Sequence, residues 1–206
     1  MSENEHFNKL LSIMPPADGS DEQVDWEAVE QGWGTRFPSD YVAFMAAYGA
    51  GAISDGFSIV RPEAPTEEFS QQMGGETANA RGLWEPEPAS YGLGTSRLPV
   101  IAWGVSCGAD IACWLTEGSD PDQWPVAVWK RHGSLTAPWN VYDCGMTEFL
   151  RKVFLQELGD CPFSDLALWG DASPRFIHWR EEQRRWDLGI DPWTGEPDPY
   201  AEMYDA

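Results

Sequence analysis

The sequence predicts an α+β fold, an antiparallel meander of about four to six strands with helices packed around it. Residues 26–59 read as helix, turn, helix, strand. Runs of β-branched and aromatic residues at Leu98 to Trp103, Asp110 to Thr116 and Pro125 to Lys130 are joined by short turns, which suits antiparallel neighbours. Met146, Phe149, Leu150, Val153 and Phe154 then repeat at helical spacing, a stripe that predicts a closing helix.

The chain opens with Phe7, Leu10, Leu11 and Met14 on one helical face, ended by Pro15 and Pro16 and followed by an acidic link to Gln23. Trp26 and Val29 mark a second helix, which Gly32 and Gly34 stop. Pro38 suits the first turn of a third, where its missing N–H costs nothing. Tyr41, Phe44, Met45 and Tyr48 fall at i, i+3, i+4 and i+7, one apolar stripe. Gly49 and Gly51 are expected to form a left-handed cap, after which Phe57, Ile59 and Arg61 begin a strand. Pro65 to Arg81 has helical character interrupted by Gly74 and Gly75, and Gly82 to Thr95 is rich in Gly, Pro and Glu. An insertion loop is therefore expected over about residues 65–96. Trp139 to Tyr142 is a further strand, and Gly145 with Glu148 reads as the N-cap and capping-box positions of the closing helix. These divisions give an N-terminal helix and link (1–23), a central domain (24–160) and a C-terminal extension (161–206).

The extension carries Trp169, Phe176, Trp179, Trp186 and Trp193 together with Arg175, Arg180, Arg184 and Arg185. Phe176, Trp179 and Trp186 are expected on one face of a helix that docks on the acidic body, supported by a Glu181 to Arg185 pair at i, i+4. Every charge from Asp187 onward is negative, which predicts a disordered end.

At 206 residues the chain is long enough to bury roughly 70% of its unfolded surface without a metal or disulfide. Its 34 acidic and 13 basic residues leave a net charge of -21. Such a charge argues against nucleic acid or an anionic membrane surface as partner and favours a basic partner, or none. Cys107, Cys113, Cys144 and Cys161 have no C-x-x-C spacing and no basic-then-apolar leader opens the sequence, so a reducing cytoplasm is expected. No apolar run approaches the ~18 residues needed to span a bilayer. His6, His132 and His178 share no metal-ligand spacing with the cysteines, and no metal or cofactor is expected. With so many acids, no pair of carboxylates can be singled out for acid–base work. Monomer and homodimer are equally compatible with these features.

Gly104-Val105-Ser106-Cys107-Gly108 fits the G-x-S-x-G pattern directly after a predicted strand. A serine hydrolase using Ser106, with Asp143 or Asp165 and His178, is therefore an alternative reading. A nucleophile elbow must enter a helix, however, and Ile111, Cys113 and Leu115 alternate as a strand would. A glycine-rich turn between strands is the expected structure.

Trp26, Glu30, Phe37, Pro38, Asp40, Tyr41, Phe44, Tyr48 and Gly49 together resemble the N-terminal signature of the SUKH superfamily, which contains immunity proteins and fungal cell-wall-assembly regulators. The resemblance continues through the strand ending in Trp103 and Gly104, the runs Asp110 to Leu115 and Trp124 to Trp129, and the helix around Thr147, Glu148, Phe149 and Leu150, covering roughly residues 24–158. It implies an α+β domain without catalytic machinery that binds another protein. In many bacterial members that protein is a cognate toxin, often a basic enzyme acting on nucleic acids. Other members are regulatory or scaffold modules, which gives a second alternative.

Six of the twelve tryptophans, Trp84, Trp103, Trp114, Trp124, Trp129 and Trp139, lie in or beside the predicted sheet. Core packing is their default role, and an exposed subset would be partner anchors. The expected contact surface combines Trp84, Glu85 and Glu87 with Glu117, Asp120, Asp122 and Trp124, all in predicted loops.

Overall fold

The computed structural model describes residues 3–17, 22–65, 72–83, 100–134 and 137–199. Seven strands, β1 (Gly51–Ile53), β2 (Phe57–Ile59), β3 (Val100–Ser106), β4 (Ile111–Leu115), β5 (Val126–Ser134), β6 (Ala137–Tyr142) and β7 (Phe176–His178), form one antiparallel sheet. Their order is β6-β5-β4-β3-β2-β1-β7. The helices among the described residues are α1 (Glu3–Ile13), α2 (Trp26–Trp33), α3 (Ser39–Tyr48), α4 (Met73–Gly82), α5 (Met146–Phe154) and α6 (Trp179–Asp187). The class is α+β, as expected, with more strands than expected. Residues 51–59 form a two-strand hairpin instead of one strand, and Phe176 enters the sheet through β7 instead of lying on a helix.

One face of the sheet holds the main core. Ile53, Phe57, Ile59, Ile101, Trp103 and Trp114 point into it from the strands and meet Leu10, Tyr41, Phe44, Met45, Phe149 and Val153 from α1, α3 and α5. The rings make two groups within this core: Tyr41 sits edge-on to Trp114 at 4.8 Å, while Phe44 stacks on Tyr48 at 4.5 Å and Phe176 meets both Phe44 and Tyr48. Trp26 and Phe37 join at Tyr41. The aromatic residues that carry the family resemblance thus fall in these two groups, each worth its buried area plus about 0.5–1.5 kcal/mol for each well-placed ring pair.

A bulge in β3 explains the Trp-Gly pair. Ala102 pairs with Cys113, and the next registered pair is Gly104 with Ala112, so Trp103 is the extra residue and both it and Gly104 face the main core. A β-carbon at Gly104 would collide with the Phe57 ring, which is why glycine follows the tryptophan. The bulge also sends Val105 to the second face and Ser106 to the first.

On that second face α4 covers β3 and β4, burying Ala80, Val100, Ala102, Ile111, Cys113 and Trp139 in a smaller core. This corrects the insertion-loop expectation for residues 73–82. Gly74 and Gly75 lie in the first turn, where they are buried without breaking the helix. Thr77 donates no strand hydrogen bond but accepts one, from the Ala102 N–H at 2.9 Å, tying α4 to the sheet.

Other corrections are local. Pro38 is the residue before α3, not inside it. Gly49 follows α3 with φ 69 but an extended ψ, and Gly51 is the first residue of β1, so the left-handed pair of caps does not form. The capping box at α5 is absent too. Glu148 pairs with Lys152 at 2.9 Å, and the Thr147 N–H and hydroxyl donate instead to the Asp40 carboxylate of α3, at 2.9 and 3.1 Å. Burial raises the pKa of Asp40 despite those bonds.

The C-terminal extension is integral to the sheet, because β7 pairs with β1. It is locked by Glu22 from the acidic link: one carboxylate oxygen accepts from the Ala50 N–H at 2.8 Å and lies 3.4 Å from His178 Nε2, and the other accepts from the Trp179 indole N–H at 3.1 Å. Gly49 makes this possible, since a β-carbon there would run into the His178 imidazole. Beyond α6 the chain is structured through residue 199, and the last residues, 200–206, for which disorder is expected, lie outside the described residues. The Asp191 carboxylate accepts from the Trp193 and Thr194 N–H groups, and Ile190 bridges to Pro197.

Candidate functional site

The G-x-S-x-G run leaves β3, makes a turn and enters β4, as a strand connection would. Ser106 Oγ donates to the Asp110 carboxylate at 2.8 Å and accepts from the Asp110 N–H at 3.1 Å. Asp110 is fully buried, and its carboxylate also accepts from the Arg131 N–H at 2.9 Å and the Ser164 N–H at 2.7 Å. This carboxylate therefore binds the turn, β5 and the segment after α5 into one knot. His178 stands on β7, three strands from β3 and hence about 14 Å away across the sheet, engaged with Glu22. Asp165 approaches Cys107, at 3.5 Å, and burial, followed by this carboxylate, raises the thiol pKa, which disfavours the thiolate. Ser106, an acid and His178 are not brought together as a hydrolase would need.

The expected contact residues separate. Trp84, Glu85 and Glu87 lie outside the described residues. Trp124 is 4% exposed and donates its indole N–H to the Gly118 carbonyl, so it is core and not an anchor. The Asp122 carboxylate accepts from the Ser39 N–H at 2.6 Å, satisfying the start of α3, and Asp120 caps the short 3-10 turn Pro121–Gln123. Glu117 is exposed in the same loop. Two of the three carboxylates in this loop thus hold backbone while remaining solvent-facing.

The exposed tryptophans are elsewhere. Trp179 and Trp186, at 37% and 41%, stand on α6, whose residues are all at least partly exposed. The stripe read as a docking face is therefore largely open to solvent, while the Glu181 to Arg185 pair forms as expected at 2.7 Å, joined by Arg184.

Between α6 and the start of α4 none of the described residues covers the second face of the sheet, and a groove runs over β1, β2 and β3. It consists of two adjoining cavities of about 370 and 210 Å³ that share Ser58 and Glu182. The larger is bounded by Arg61, Gln72 and Trp179, the smaller by Ala52, Asp55, Val105 and Cys107. Arg61 and Arg180 lie over the Trp179 ring, at 5.5 and 5.3 Å from its centroid. Asp55 and Glu182 have raised pKa values, chiefly from burial, with Asp191 acting on the first and Asp55 on the second. Sequence reasoning passed over Ser58, Asp55 and Glu182. The available signal was Ser58 between Phe57 and Ile59, a polar residue on the opposite face of a strand whose neighbours are core.

Among the described residues no group of three His, Cys, Asp or Glu side chains is placed to hold a metal ion, and no helix is long and apolar enough to cross a membrane. No protein-family model matches the sequence, and neither a curated protein nor a solved structure matches it. The fold defines the class as an α+β domain with an open sheet; its function is argued from the surface.

Proposed function

We propose that this chain is a non-catalytic protein-binding domain, an immunity protein that binds and neutralises a basic, nucleic-acid-targeting toxin in the cytoplasm. The observation that carries the reading is the distribution of charge. Most cations are engaged within the fold: Arg151 with Glu157, Lys152 with Glu148, Lys130 with the Cys161 carbonyl, and Arg184 and Arg185 with Glu181. Exposed acids such as Glu27, Asp55, Glu117, Asp143 and Asp160 have no such cation among the described residues. The acid excess behind the net charge of -21 is therefore largely uncompensated, and its exposed members among the described residues steer a basic partner and occlude a cleft built for phosphates. The resemblance of the sequence to the SUKH superfamily supports the same reading, and the α+β class alone would not specify the partner.

The test is co-expression. The full chain is used to capture its partner from native cells, and the partner is then expressed with and without it. Rescue of growth inhibition supports immunity. A partner that is harmless when expressed alone moves the assignment to a regulatory or scaffold module.

A further inference from the structure

We infer that the smaller cavity of the groove is a subsite for one arginine side chain of the protein partner, gripped between Asp55 and Glu182. This rests on the protein-binding reading above and specifies the chemistry of the contact. The cavity of about 210 Å³ suits a single long side chain. Its floor includes Ala52 and Val105, apolar surface for methylenes, and Ser58 adds a hydroxyl.

Both carboxylates lack a hydrogen-bond or ion-pair partner among the described residues, although each is partly desolvated and sits near another acid. The neighbouring cations are committed elsewhere: Arg61 and Arg180 lie on Trp179, and Arg175 donates to the Trp193 carbonyl at 2.8 Å. A guest cation would relieve a repulsion that the fold leaves standing. A guanidinium fits better than an ammonium because its planar fork can serve two carboxylates at once.

The position is also preorganised. Ser54 and Asp55 form the β1–β2 turn with φ 49 and 55, and the Ser54 hydroxyl donates to Asp171 at 2.7 Å while accepting from the Arg175 N–H at 3.2 Å. The turn that aims Asp55 is thereby clamped to the segment leading into β7, and α6 carries Glu182 from the other side.

The experiment titrates the full chain with Nα-acetyl-arginine amide at fixed ionic strength, following backbone amide shifts by NMR, with Nα-acetyl-glutamine amide as the neutral control. Saturable shifts confined to Asp55, Ser58, Val105 and Glu182, weakened about tenfold or more in a D55N/E182Q variant and unchanged in E117Q, are expected. Asn tolerates the left-handed conformation at position 55, so the variant is expected to fold, and its amide spectrum checks that directly. Shifts spread over the exposed acids, or equal affinity in D55N/E182Q, overturn the subsite. Because the probe is independent of the toxin, failure here leaves a growth rescue standing, and failure of the rescue leaves a measured subsite standing.

Discussion

Asp40 shows how one side chain can serve a whole interface. It sits in the first turn of α3, yet the groups it satisfies belong to the start of α5, more than a hundred positions later. The spacing that suggested a local capping box at Glu148 could not reveal a cap supplied from another helix. Removing Asp40 would leave the Thr147 N–H buried without an acceptor. We expect Asp40→Ala to lower stability by about 1–2 kcal/mol in urea unfolding, the cost of a lost cap moderated by relief of a desolvated carboxylate. A change within experimental error would mean that water or a shift of α5 replaces the bond. Ser106 teaches the complementary lesson. Its motif was visible in sequence, and its chemistry is set by Asp110, whose carboxylate takes the hydroxyl proton as a hydrogen bond and leaves the serine as a structural pin.

Elements with a clean period were legible before the structure. The stripes of α3 and α5 and the runs of β3 to β6 rest on local sequence alone, and each core-facing residue named on the two helices is buried. What escaped was decided by distant partners. α4 has two glycines in its first turn and little amphipathic signal, and it is helical because the second face of β3 and β4 needs a cover. β1 and β7 are three residues each, too short for periodicity, and exist because they pair with each other. Their junction depends on Glu22. Glu22→Ala would strand the buried Ala50 N–H, at about 1–3 kcal/mol, and release the Trp179 indole N–H to water. Hydrogen exchange should then quicken in β7 and α6 while α3 and α5 stay protected, and Glu27→Ala, on an exposed position, should leave both unchanged. Uniform loss of protection would instead make Glu22 part of the global core.

At the scale of the molecule the tryptophans divide by environment. Those of the sheet are core, and the two on α6 face solvent beside a groove with unpaired carboxylates. Composition announced the acidic character but not its geometry, because the contact surface expected from loops includes a buried Trp124 and two carboxylates that hold backbone. A face that gathers Trp179, Asp55 and Glu182 from an interstrand turn and a terminal helix is visible only once β7 has joined the sheet. The most direct test of the central claim is calorimetric titration of the captured partner into the full chain at low and at high salt, with the partner's toxic activity read in the same mixtures. The account predicts a one-to-one complex that weakens steeply with salt and abolishes toxicity at equivalence. Binding that is indifferent to salt, or a saturated complex that remains toxic, would contradict it.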